Sequence, residues 1–152
     1  GRRRLPTIAA QRIRQSSEYG SVSVGHRCRF VTSVAHVTRI PPDQIATSII
    51  TVEEQLSAWY TLLRRARRTE QLVPIYERMT RTVSFLGRVP LLTFTDEAAA
   101  AFDLLRSKFP RRGRMDLRIA AIALASQATL VTRNRSNFSD IAGLVVEDWS
   151  QT

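Results

Sequence analysis

Four polar residues, Glu54, Asp116, Asn134 and Asn137, lie where the sequence predicts that a helix begins or that a strand has just ended. Carboxylates gathered in one place repel one another, so a protein that collects them usually does so around a hard cation. Mg²⁺ and Mn²⁺ prefer oxygen ligands and keep several waters. A cation held in this way can activate a water against a phosphodiester and stabilise the leaving oxygen.

Each of these residues also has a purely structural explanation. An Asp or Glu in the first turn of a helix complements the helix dipole, which would account for both Asp116 and Glu54. Glu53 is the same residue type one position earlier, and asparagines are common in loops. Spacing alone therefore leaves both interpretations open.

A basic loop, residues 111–114, comes directly before Asp116. The planar guanidinium group of arginine suits phosphate, so Arg112 and Arg114 are the best candidates for contacts with phosphate groups. The alternative is a basic turn that is merely solvated.

The elements that must position these residues alternate between strands and helices. Apolar residues at helical spacing predict helices over 52–66, 72–86 and 95–109, and the apolar stretch 116–126 predicts a buried helix. The sequence predicts strands at Ile45–Thr51, Val89–Phe94, Thr129–Thr132 and Gly143–Glu147. This order is typical of an α/β fold with a parallel sheet, in which ligands bind at the carboxyl ends of the strands.

The charge is unevenly distributed along the 152 residues, whose formal net charge is +10. Residues 1–40 contain eight Arg and one acid, Glu18, a net of +7, which leaves +3 for residues 41–152. Arginine-rich composition permits a nucleic-acid partner, but it is equally what a genome that favours arginine codons produces. We therefore predict a globular domain over residues 40–152 and an atypical basic segment over residues 1–39.

Cysteine content and hydropathy limit the kinds of site and the cellular compartment that the sequence predicts. Cys28 is the only cysteine, which excludes an intrachain disulfide and a cysteine-based zinc site. The longest wholly apolar run, Ile119–Ala125, is far shorter than the roughly 20 residues of a membrane-spanning helix. We therefore expect a cytoplasmic protein without a membrane partner.

From about residue 40 to residue 149 the sequence resembles the VapC-type toxins of the PIN-domain ribonuclease family. The resemblance depends on the stretches IATSIITVEEQLSAW, MDLRIAAIALASQATLVTRNRSNF and GLVVEDWS. The second is the most specific, with an Asp opening an Ile-Ala-Ala-Ile-Ala helix that is followed by Leu-Val-Thr-x-Asn.

The resemblance implies a PIN-like three-layer α/β/α sandwich with a central parallel sheet. It further implies an endoribonuclease that uses Mg²⁺ or Mn²⁺, an RNA substrate, a VapB-like antitoxin and a homodimer. The family's functional residues correspond to Glu54 and Asp116 as metal ligands and to Asn134 as an auxiliary catalytic residue. Asn137 occupies a position that is often acidic in the family.

One part of the family pattern is absent. The toxins open with a central apolar strand that ends in an Asp-bearing motif, and residues 1–39 contain no such motif. Val22–Val24 or Phe30–Val34 could replace the strand, and Glu18 is the only acid available there. The abrupt change in charge and the initial Gly1 suggest a frameshifted or mis-started reading frame over this segment.

The sequence therefore leaves two main hypotheses for the function. The first is a VapC-like toxin of a type II toxin-antitoxin system, an Mg²⁺-dependent endoribonuclease in which Arg112 and Arg114 would approach RNA phosphates. It would be inactive if nothing replaces the missing first metal-binding Asp. The alternative is a non-catalytic PIN-like protein that binds antitoxin or RNA. A basic DNA-binding module is a third, weaker option, because no helix-turn-helix or basic-helix pattern is found.

Overall fold

The computed structural model describes residues 10–11, 46–132 and 134–148. Four α-helices lie in these ranges, and each starts and stops close to its sequence signals. They are α1 (Ile49–Arg65), α2 (Leu72–Leu86), α3 (Asp96–Lys108) and α4 (Arg114–Ala125), with short 3₁₀ helices at Thr69–Gln71 and Arg135–Asn137.

Local chemistry explains the helix limits. The Thr95 hydroxyl accepts a hydrogen bond from the Ala98 amide at 3.2 Å and so caps the start of α3. Gly87 ends α2, and Pro110 follows the end of α3. The predictions of these helices are confirmed.

The described strands are short: β1 (Ala10–Gln11), β2 (Thr47–Ser48), β3 (Leu91–Leu92), β4 (Thr129–Val131) and β5 (Val145–Glu147). They form one sheet in the order β3-β2-β1-β4-β5. Strands β2 and β3 are parallel, as are β4 and β5. Because β1 is antiparallel to both of its neighbours, β2 and β4 run in the same direction.

The predicted strand over Ile45–Thr51 was wrong at its carboxyl end. The sheet contains only Thr47–Ser48, and α1 already begins at Ile49. The Ser48 hydroxyl accepts a hydrogen bond from the Thr51 amide at 3.1 Å, which starts the helix inside a β-branched run. Capping here outweighs the strand preference of isoleucine and threonine.

The central position of the sheet holds Ala10–Gln11, which pairs with Thr47 on one side and with Leu130 and Val131 on the other. The expectation of a replaced first strand is therefore met by a segment that runs against the other four strands. Val22–Val24, Phe30–Val34 and Glu18 lie outside the described residues, as does the predicted boundary at residue 39.

The core is centred on α4 and β4. Ile122 of α4 and Leu130 and Val131 of β4 have no exposed surface. Helix α3 packs against α4, and α1 contacts both α2 and α4. Within the described ranges, no helix is both long and apolar enough to cross a membrane.

Candidate acidic site

The start of α1 determines where Glu54 lies. Ser48 and Thr51 are fully buried, and their hydroxyl oxygens are 3.0 Å apart. Glu54 follows Thr51 by three residues, which puts both on one side of the helix, and it is half-buried there. Glu53 is exposed. Of the two neighbouring glutamates, Glu54 is therefore the more buried, and its role in a site stays a prediction.

Asp116 is the third residue of α4 and is half-buried. Its Oδ2 accepts a hydrogen bond from Nδ2 of Asn137 at 2.9 Å. The loop before α4 passes close to the same oxygen, since a Cβ atom added at Gly113 would lie 3.6 Å from it. A carboxylate in the first turn of a helix is also stabilised by the helix dipole.

Electrostatics link the two carboxylates. Burial raises the pKa of Glu54 above its ordinary value, and the charges of Asp116 and then Glu53 raise it further. Glu54 and Asp116 are therefore near neighbours in space, although they lie 62 positions apart in the sequence; we call these two side chains the acidic pair. Glu54 lies in α1, which begins directly after the carboxyl end of β2. Asp116 lies in the first turn of α4, the helix that leads back into β4.

Asn134 lies in the turn that follows β4. Its backbone amide donates to the Thr132 hydroxyl at 3.1 Å, and its side-chain oxygen accepts from the Ser136 hydroxyl at 3.1 Å. These bonds are local and the residue is exposed. The amide that bonds Asp116 belongs to Asn137, three residues later, so the structure places Asn137 at the acidic pair and Asn134 in the adjoining turn.

The two arginines predicted to contact RNA differ in their surroundings. Both terminal nitrogens of Arg112 donate to the carboxylate of Asp140 at 2.8 Å, and its guanidinium lies 4.3 Å from the centre of the Phe109 ring. The hydrogen bond from Arg112 lowers the pKa of Asp140, and the same bond raises the pKa of Arg112. Arg114 is exposed at the first position of α4.

A groove of about 530 Å³ adjoins the acidic pair. It is lined by the loop between α3 and α4 and by Asn137, the residue that bonds Asp116. Its lining residues are Phe109, Pro110, Arg111, Arg112, Gly113 and Asn137. A basic wall beside two carboxylates suits an anionic substrate that is held next to a cation.

The described site offers two carboxylates as possible ligands for a cation. Burial is the larger cause of the raised pKa of Glu54, and the negative charge of Asp116 adds to it, an opposition that a positive ion beside the two groups would relieve. Among the described residues, no group of three His, Cys, Asp or Glu side chains comes together. Mg²⁺ binds through as few as one or two carboxylates only when waters fill its remaining positions.

Sequence reasoning missed Asp140 altogether. The residue is 28 positions away from Arg112, and no local pattern links the two. For Asn137 a signal exists, because it follows Asn134 by three residues, but the spacing does not show which amide bonds Asp116.

Comparison with known proteins gives one curated relative and several solved structures. Ribonuclease VapC2 of Rickettsia felis is 34% identical over 71 residues, which cover 44% of this chain and 53% of the relative. The chain thus spans about half the length of that relative. No family model matches the chain.

Two of the similar structures are complexes with DNA. VapBC2 of Rickettsia felis, bound to a promoter fragment, has 29% identity and a TM-score of 0.50, covering 68% of this chain and 74% of that one. DNA-bound VapBC of Salmonella typhimurium has 25% identity and a TM-score of 0.51, covering 67% and 73%. FitAcB of Neisseria gonorrhoeae, at 23% identity and a TM-score of 0.56 over 75% and 81%, supports the fold alone.

Proposed function

We propose that this chain, whose resemblance to the VapC-type PIN toxins and whose PIN-like α/β fold are confirmed, is a metal-dependent endoribonuclease. The observation that supports the proposal is the acidic pair, half-buried at the carboxyl edge of the sheet, with Asn137 bonded to Asp116. The similar relative is named a ribonuclease, which supports RNA as the proposed substrate class.

Glu54 and Asp116 would hold the cation, Mg²⁺ or Mn²⁺, and Asn134 and Asn137 would adjoin it. When bound, the cation would supply an activated water and stabilise the oxygen that leaves the phosphodiester. Asn137 keeps one oxygen of Asp116 oriented through its hydrogen bond. Deprotonated Glu54 is the form that binds a cation, so the raised pKa of this residue makes cation binding weaker in acid.

The groove beside the acidic pair would receive the RNA backbone. Arg114 is exposed at the start of α4, and Arg111 is exposed in the groove wall. Arg112 would contribute positive charge while its terminal nitrogens remain bonded to Asp140. Arginines at such positions hold phosphates and position the strand without reading its bases.

The experiment is a cleavage assay of the purified chain on RNA with Mg²⁺, with Mn²⁺ and with EDTA. Asp116→Asn should reduce the rate by more than about 100-fold, because even the outer partners of metal ligands are worth 10–100-fold. Asp103→Asn, on exposed surface of α3, is the matched control and should leave the rate unchanged. Cleavage that survives both EDTA and Asp116→Asn would refute the proposal.

The alternative is a non-catalytic PIN-like protein that binds antitoxin or RNA. It is favoured by the small donor set, since two carboxylates and no third acid gather among the described residues. An RNA that binds the chain tightly, but is never cut under any of the three conditions, would select this alternative.

A VapB-like antitoxin is the protein partner that we propose, because two of the similar structures are VapBC complexes. Helix α2 offers a surface for it. Val73, Tyr76 and Val83 lie along one side of α2 and are 58%, 53% and 51% exposed. An amphipathic segment of the antitoxin could cover this side, and a second copy of the chain is the competing occupant.

A further inference from the structure

Two pairs of side chains join the segment before and within the first turn of α4 to the segment after β4. Arg112 pairs with Asp140 through two hydrogen bonds of 2.8 Å, and Asp116 accepts one from Asn137 at 2.9 Å. Asp116 follows Arg112 in the first segment, whereas Asn137 precedes Asp140 in the second. The bonds therefore run in antiparallel order and together resist sliding of one segment along the other.

The Arg112 side chain is well fixed. It is only 16% exposed, it makes a bidentate pair, and its guanidinium lies over the Phe109 ring. Its own amide donates to the Phe109 carbonyl oxygen at 3.1 Å, which holds the loop in a turn. A planar fork held on both sides is a rigid anchor, and a lysine could not reproduce its geometry.

The second segment is a succession of tight turns. Asn137 and Phe138 donate their amides to the carbonyl oxygens of Asn134 and Arg135 at 3.2 and 2.9 Å. Phe138 and Ile141 are buried and anchor the segment to the core. Asp140 lies between these two buried residues, three positions after Asn137.

We propose that Arg112 and Asp140 form a positioning pair that holds the amide of Asn137 against Asp116. The effect of this pair on catalysis rests on the proposed function. The effect of the pair on the position of the Asn137 amide does not depend on that function. In this role Arg112 acts through Asn137 rather than by touching RNA.

The test follows the side-chain amide of Asn137 by NMR in the full chain without metal. In Arg112→Lys and in Asp140→Asn, hydrogen exchange of this amide should accelerate by about 10-fold or more, as expected when a bond to a charged group is lost. Arg106→Lys is the matched control, because Arg106 also lies over a phenylalanine ring, at 5.8 Å from that of Phe102. Its exchange should match that of the natural protein.

Cleavage kinetics give the second measurement. Both variants should lower kcat by about 10- to 100-fold with KM little changed, because a misplaced group costs rate more than binding. An unchanged Asn137 amide in both folded variants would overturn the positioning role, whatever the activity. If the natural chain does not cleave RNA, the proposed function fails, and the amide measurement still decides the placement.

Discussion

Helices α2 and α4 differ sharply in what they bury. Helix α4 buries six side chains, among them Leu117, Ile119 and Ile122, whereas no residue of α2 is buried. The small alanine side chains of α4 permit close packing. The Ala123 carbonyl oxygen accepts a hydrogen bond from the Ala128 amide at 2.8 Å, which joins the end of α4 to the residue before β4. The contrast indicates that α4 stabilises the fold while α2 presents an apolar side for recognition.

Truncation in α4 should have the largest effect on stability. Ile122 has no exposed surface, so Ile122→Ala removes buried methyl groups and leaves a cavity. We expect a loss of about 2–5 kcal/mol in the free energy of unfolding, measured by urea denaturation. Leu104→Ala is the control: Leu104 is 74% exposed, and the change should stay within about 0.5 kcal/mol. Equal losses in the two variants would contradict a stabilising role for the buried side chains of α4.

Truncation in α2 should leave stability nearly unchanged and weaken partner binding instead. Tyr76 is 53% exposed, and a buried tyrosine at an interface is commonly worth 2 kcal/mol or more, about 30-fold in affinity. Tyr76→Ala should therefore weaken binding to the proposed VapB-like antitoxin, measured by co-purification. Tyr60→Ala is the control for this binding measurement, because Tyr60 is a similarly exposed tyrosine, at 50%, that lies on α1.

Binding that is unaffected by Tyr76→Ala would remove α2 from the antitoxin surface. A change in the oligomeric state of the chain alone, seen by sedimentation, would instead make a second copy the occupant of this side of α2.

The sequence predicted both helices but could not distinguish their surroundings. Apolar spacing over 72–86 predicts a helix, and the same spacing would serve a core or a docking surface. Helix α4 was predictable as buried because it is apolar nearly all round. What no local pattern contains is the 28-residue link from Arg112 to Asp140, since such pairs depend on how distant segments meet.

The site was partly predictable for the same reason. The family pattern selects Glu54 and Asp116, and capping by Ser48 turns Glu54 towards the half-buried side of α1. The choice between Asn134 and Asn137 needs the geometry of the turn after β4, which spacing does not define.

Helix α1 contacts both α2 and α4, and it carries Glu54. The smallest expected effect is a pH-dependent change in Tm, which tests whether the charge of Glu54 destabilises the folded protein. Because the folded protein raises the pKa of Glu54 above the ordinary 4.5, the folded state binds the proton more tightly than the unfolded state does. Stability associated with Glu54 is therefore lost as pH rises above that value. Glu54→Gln should raise Tm at neutral pH, and the gain should vanish below about pH 4.5. Ser57→Ala, exposed on the same helix, is the control and should change Tm equally at neutral pH and below about pH 4.5. A gain in Tm of Glu54→Gln that does not depend on pH would contradict a destabilising effect of the Glu54 charge.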